Sequence, residues 1–184
     1  MNNESIDINK GNKPEMLSLI VKWGLIISFA LVTISIIVYM AGMSTNKAIG
    51  WINYILMFVG VIFATKVYRD EKCGGYVNFG TAFKFGFLTL FLVGIITAIY
   101  TYIFFSFIAP ELTDQILTQI ENEMLNSGQS EEQIEIAMNY TREFMTPGWM
   151  VAWVVIGSIF MGAIFSLISA AIMKRENNEL QAPE

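Results

Sequence analysis

The chain contains no histidine and a single cysteine, and these two shortages exclude many kinds of active site. Histidine is the commonest general base and the commonest metal ligand in proteins. One cysteine, Cys73, cannot form an internal disulfide or a cysteine metal cluster. The sequence also lacks a phosphate-binding glycine loop, a nucleophile elbow and the HExxH pattern of zinc proteases. We therefore predict no enzymatic activity, no catalytic residue, no cofactor and no metal site.

Charge is scarce as well, and its absence from four long runs indicates a membrane protein. Charged residues make up 15% of the 184 residues and hydrophobic residues 54%. Runs without any charge cover 24 residues after Lys22, 18 after Lys47, 26 after Lys84 and 30 after Glu143. A helix of about 20 mostly apolar residues crosses a bilayer. The sequence thus predicts an all-α integral membrane four-helix bundle, one domain over 1–184 with spans near 17–42, 49–67, 83–108 and 149–173.

Three polar segments connect these spans, the first being the short stretch 42–50. Residues 68–82 form a basic, glycine-containing loop, and Asn78 within it is suited to cap the third span. Residues 110–147 contain eight acids and one base, Arg142. In this acidic segment, Ser130 and Gln133 have the spacing of a capping box, which starts a second helix after a break at residues 126–128. We predict a helical hairpin here, between spans three and four.

The distribution of lysine and arginine predicts the orientation in the membrane. Nine of the eleven basic residues fall in the N-terminal segment, the region around the 68–82 loop and the C-terminus, which share one side of a four-span protein. The opposite side has Lys47 and Arg142. Because basic residues are enriched in cytoplasmic loops, we expect both termini and the 68–82 loop to be cytoplasmic. The 110–147 segment is then extracytoplasmic.

The run GYVNFGTAFKFG at residues 75–86 follows the second of four spans. With that arrangement, the chain resembles the bacterial membrane family catalogued as domain of unknown function 4199. The resemblance implies a multi-pass protein of the bacterial inner membrane and implies no substrate or catalytic residue. Four glycines define the motif of the cytoplasmic loop and shape the entry into the third span: Gly74, Gly75, Gly80 and Gly86.

Small residues form a stripe on the fourth span, because Ser158, Gly162, Ser166 and Ala170 are spaced four apart. Small side chains let helix backbones approach closely in a membrane. The stripe is therefore either a packing surface inside the bundle or the seam of a homodimer. Polar residues within the spans are few, and we expect Asn53 to make a packing hydrogen bond rather than a substrate contact.

These observations favour a structural or accessory role over a catalytic one. The 110–147 segment combines two amphipathic helices with a net charge of −7. Their apolar faces either cover each other or cover a partner, and we expect recognition of another membrane or periplasmic protein through this segment. The alternative is a small transporter or channel subunit. No nucleic-acid partner is expected, and the lipid bilayer is the surrounding medium.

Overall fold

The computed structural model describes residues 13–44 and 46–175, which form six α-helices. A π-helical turn, Phe104–Ile108, extends the third helix. The prediction of an all-α protein is confirmed. The helices are α1 Lys13–Met40, α2 Lys47–Lys72, α3 Phe79–Ile103, α4 Glu111–Asn126, α5 Glu131–Phe144 and α6 Pro147–Met173.

Four segments are long and apolar enough to cross a membrane, as predicted: Pro14–Met40, Ala48–Lys72, Phe79–Ile108 and Pro147–Met173. The second differs from the predicted span, which ended at residue 67, because α2 continues to Lys72. The added turn is held by packing, since the buried Tyr68 ring stacks on Phe85 with the ring centres 4.4 Å apart. Arg69 and Lys72 also suit the negative end of the helix dipole. The loop is therefore shorter than the expected 68–82.

Helix α3 is the centre of the bundle. It packs on α1, α2 and α6, and its interface with α6 is the most extensive in the protein. Small residues keep these two helices close: a Cβ atom added at Gly86 would lie 3.2 Å from Ser166 Oγ, and one added at Gly162 would lie 3.4 Å from Leu90 Cβ. Close approach of backbones is the usual way that helices associate in lipid.

One end of the bundle, which we call the loop end, is tied together around residues 73–78. Val77 and Arg175 exchange two backbone hydrogen bonds of 2.9 Å each, which join the loop to the end of α6. The Arg175 guanidinium lies 5.4 Å from the centre of the Tyr76 ring. Asn78 caps α3 as predicted, because its side chain accepts a 2.8 Å hydrogen bond from the Thr81 amide.

The opposite end, which we call the α4–α5 end, carries the two short helices. α4 and α5 pack against each other. The predicted capping box is present, with Ser130 and Gln133 each bonding the backbone of the other. α4 meets the bundle through a cluster that includes the buried side chains of Phe104 and Leu112. The acidic segment is therefore attached to the spans through this cluster, and Phe144 of α5 also packs on Trp149 of α6, with ring centres 5.1 Å apart.

Candidate functional site

A partly open cavity lies between the four long helices at the α4–α5 end of the bundle. Its volume is about 550 Å³, and its walls come from α1, α2, α3 and α6, with α4 at the rim. Along α3 the lining runs from Phe104 back to Val93, which is about 16 Å at 1.5 Å per residue. That length is about half of a hydrocarbon core of roughly 30 Å. The cavity therefore extends to about the middle of the spanning region.

The cavity wall is mostly apolar and carries no formal charge. None of the described residues that line it is aspartate, glutamate, lysine or arginine. Its deep end is formed by Leu31, Val93 and Met161. A few hydrogen-bonding groups interrupt this surface closer to the rim, and they are contributed by Ser35, Asn53, Thr97, Tyr100 and Thr101.

Two of these polar side chains lack hydrogen-bond partners. Asn53 Oδ1 and Thr97 Oγ1 are both buried and accept or donate no hydrogen bond within the described chain. The expected packing hydrogen bond of Asn53 is therefore absent at its oxygen. A buried polar group without a partner costs about 1–3 kcal/mol, and within a bilayer no bulk water compensates for it. Buried atoms without a partner also occur elsewhere in the described bundle, for example Ser28 Oγ and Ser166 Oγ, but only Asn53 and Thr97 among these residues line the cavity.

Hydrogen bonds between helices fix the cavity wall and its rim. The Tyr100 hydroxyl donates to Ser35 Oγ at 3.1 Å and joins α3 to α1. At the rim the Tyr39 hydroxyl donates to Glu111 Oε1 at 2.7 Å and joins α1 to α4. This hydrogen bond lowers the pKa of the Glu111 carboxyl below its usual value. α4 is thus held over the rim by a charge-assisted bond, the stronger kind of hydrogen bond.

An open groove of about 580 Å³ continues from the cavity beneath α5. The two spaces share wall residues, among them Phe105, Ile116 and Trp153. The groove adds Tyr140 and Phe144 from α5. The α4–α5 end therefore has one continuous concave surface, which runs from the middle of the spans to the underside of the acidic segment.

The predicted small-residue stripe lies inside the chain. Gly162, Ser166 and Ala170 are buried, and Ser158 at the top of the stripe is half-buried. Gly94 and Gly86 of α3 face this stripe, opposite Ser158 and Ser166. The stripe is thus a packing surface within this structure, and a homodimer would need another face.

The four glycines of the loop motif occupy three different surroundings. Gly74 and Gly75 have positive φ angles of 59° and 87°, a backbone conformation that reverses the chain after α2. Gly80 lies on the exposed first turn of α3, and Gly86 is buried at the α6 interface. Their placement is that of turn and packing positions.

Helix α5 has two apolar faces. Ile134 and Met138 are buried on one face, and α5 packs against α4. A second row, one turn apart, is exposed: Ile136 by 53%, Tyr140 by 64% and Phe144 by 41%. The spacing of this row is visible in the sequence, but the Ile134 row has the same period, so the pattern alone does not show which row is buried. We call Ile136, Tyr140 and Phe144 the α5 row.

The acids around the α5 row are exposed. All eight carboxylates of the 110–147 segment lie at the surface. Among the described residues, no three acidic or cysteine side chains come together as metal ligands would. The segment therefore presents apolar side chains within a field of negative charge.

Comparison with known proteins yields a family and no characterised relative. No curated protein and no solved structure matches the chain. A family model described as "Protein of unknown function (DUF4199)" matches residues 22–175. The match begins within α1 and ends where Arg175 pairs with the loop, so it contains the other three spans and the 75–86 motif on which the resemblance was based. The chain therefore belongs to the DUF4199 family of membrane proteins of unknown function.

Proposed function

We propose that this protein is an accessory component of a bacterial inner membrane that binds another membrane or periplasmic protein through its 110–147 segment. The observation that carries the proposal is the α5 row, which stays exposed although the other apolar face of α5 is already buried. Exposed aromatic side chains grouped on one face are typical of protein interfaces. The proposal assigns the chain no catalytic step.

Charge supports a protein partner over a lipid surface. The 110–147 segment has a net charge of −7, and anionic headgroups repel such a surface. With both termini cytoplasmic, as the distribution of basic residues favours, the α5 row lies on the periplasmic side of the membrane, where Tyr140 and Phe144 also line the groove beneath α5. The partner surface that fits is an apolar patch with a basic rim, because opposite charges guide the two proteins together.

Photo-crosslinking in native membranes tests this proposal. Benzoylphenylalanine in place of Tyr140 should give an adduct of one defined mass, because the ring would lie at the interface. The matched control is the same residue in place of Leu125, an exposed apolar position of α4 outside the α5 row. Adding Ile136→Ser and Phe144→Ser should remove the adduct without changing the amount of inserted protein. Equal adducts from positions 125 and 140, or none from 140, would contradict the proposal.

A small transporter or channel subunit is the second candidate, and the cavity is the observation that favours it. Because its described lining has no charged side chain, the transported solute would be uncharged. The purified protein in liposomes should then carry such a solute across the bilayer. Solute flux that depends on the protein and is lost when the cavity is filled would support this candidate function. Liposomes that contain the protein but show no flux would exclude it.

A further inference from the structure

We propose that the cavity at the α4–α5 end is a binding site for one uncharged amphiphile, with its hydrogen-bonding group at Asn53 and Thr97 and its apolar part against Leu31, Val93 and Met161. This inference does not depend on the α5 row, since the cavity is built from the spans. Its volume of about 550 Å³ lies in the usual range of ligand pockets, about 300–1,000 Å³.

The lining determines the charge of the ligand. A charged group placed there would find no oppositely charged side chain among the described residues of the wall. Removing an ionised group from water without a partner costs far more than a hydrogen bond returns. An uncharged group loses much less. The site therefore selects against ionised amphiphiles of the same chain length.

The unpartnered polar atoms determine the position of the ligand's polar group. Asn53 on α2 and Thr97 on α3 come from helices on different sides of the cavity, and each has a buried oxygen without a partner. Both oxygens are closed off from the open space as they stand, so each side chain must turn towards the cavity to meet a ligand. A hydroxyl or carbonyl group of the ligand could then exchange hydrogen bonds with them, because amide and hydroxyl side chains can donate and accept. Ser35 Oγ accepts a 3.1 Å hydrogen bond from the Tyr100 hydroxyl and lines the cavity in the same polar band.

The depth of the cavity favours an amphiphile over water. Below the polar band the wall is mostly apolar and includes Leu31, Val93 and Met161, and the Ser158 hydroxyl at this level already donates to the Val155 carbonyl at 2.8 Å. A wall with so few free hydrogen-bonding groups favours an apolar occupant. The mouth is continuous with the groove that passes Phe105 and Trp153 beneath α5. A chain too long for the cavity can therefore extend into that groove.

Gly157 offers a way to fill the site without disturbing the bundle. It lies on the wall one turn from Trp153 and from Met161, and a Cβ atom added there meets nothing within 4 Å. Gly157→Phe should therefore occupy the cavity. Gly148, on the same helix, also has open space around its Cβ position but does not line the cavity, so Gly148→Phe is the matched control.

The test uses the full chain in phosphatidylcholine nanodiscs, which avoid competition by nonionic detergent. The probe is decanol bearing a diazirine, and mass spectrometry locates the adduct after illumination. We expect labelling of α3 and α6 peptides around Val93 and Met161, lost in Gly157→Phe and kept in Gly148→Phe. Unlabelled decanol should compete, whereas decyl sulfate and decyltrimethylammonium should not. Equal labelling of both glycine variants, or equal competition by the charged analogues, would overturn the proposal.

A second variant keeps the test decisive if Gly157→Phe does not fold. Asn53→Leu with Thr97→Val removes both unpartnered groups and should lower probe affinity about tenfold, the loss of one or two hydrogen bonds. Because no protein partner is lost, the thermal stability should stay equal or rise. Unchanged affinity, or a large fall in stability, would show that the two groups serve the fold and would refute the site. A further measurement is the reaction of Thr97→Cys, in a Cys73→Ser background, with a water-soluble maleimide. If this reaction is fast and decanol does not slow it, the cavity is a water-filled vestibule and the proposed binding site is refuted.

Discussion

Replacing Gly94 with alanine should force α3 and α6 apart, because Gly94 faces Ser158 without room for another atom. A Cβ atom at position 94 would lie 2.5 Å from Ser158 Cβ, with the Ser158 hydroxyl closer still. Rotation of the serine moves its hydroxyl but leaves its Cβ in place, so the helices must shift. Overpacking of this kind costs about 1–3 kcal/mol, and the better helix propensity of alanine offsets up to about 1 kcal/mol. We expect the free energy of unfolding to fall by about 1–2 kcal/mol.

The chain provides both a control and a rescue for this substitution. Gly157→Ala is the same change on α6 in open space and should leave stability unchanged or slightly raised. Ser158→Gly combined with Gly94→Ala removes the opposing Cβ and leaves the position 158 Cα 4.0 Å away, so stability should recover. Thermal unfolding in mild detergent measures the effect, at about 2–4 °C per kcal/mol for a chain of this size. The reasoning is refuted if Gly94→Ala is as stable as Gly157→Ala, or if the double variant does not recover.

Three further predictions concern the Cys73 thiol, the orientation in the membrane and the hydrogen bond between Tyr39 and Glu111. Cys73 is 2% exposed and burial raises the pKa of its thiol, so a water-soluble maleimide should label it far more slowly in the folded protein than in SDS. Orientation is therefore better tested with Gly80→Cys and Glu132→Cys in a Cys73→Ser background. In intact spheroplasts the maleimide should not label position 80 and should label position 132. The opposite labelling pattern would mean that the orientation in the membrane is reversed. The hydrogen bond from Tyr39 lowers the pKa of the Glu111 carboxyl below its ordinary value. The stability that this bond contributes is therefore present above the ordinary pKa of a glutamate, and it is lost as the pH falls through the lower pKa of the folded state. Unfolding temperatures of the wild type and Tyr39→Phe should thus differ at neutral pH and converge in acid, and a constant difference would contradict this.

The spans and the helix starts could be predicted because they depend on local properties of the chain. Whether an uncharged run is long enough to cross a bilayer can be read directly from its length. The cap at Asn78 and the capping box at Ser130 depend only on residues within one helical turn. Both caps are present in the structure. The end of α2 could not be predicted in this way. It depends on Tyr68 stacking on Phe85, a contact between two helices that no local pattern contains.

The candidate site could not be predicted for a related reason. Asn53 and Thr97 look like ordinary polar residues of spanning helices, and only the packing of the folded chain leaves one oxygen of each without a partner among the described residues. The bonds between Val77 and Arg175 were equally hidden, since they join residues nearly a hundred positions apart. The size of a cavity depends on how far the helices diverge. In the sequence, this divergence is reflected only in the sizes of the residues that face each other.

Those sizes explain why the bundle is closed at the loop end and open at the other. From Gly86 to Gly94 on α3, and from Ser158 to Ala170 on α6, small residues bring the two backbones together. Towards the α4–α5 end the cavity wall includes larger side chains: Tyr100 on α3, Phe104 and Phe105 on the π-helical turn, and Trp153 and Val154 on α6, beside smaller ones such as Thr97 and Gly157. Bulky residues pack well only if something fills the space between them. The same gradient that fixes the packing of α3 on α6 therefore creates the cavity, and a ligand there would bind to surfaces that the bundle itself cannot bring into contact.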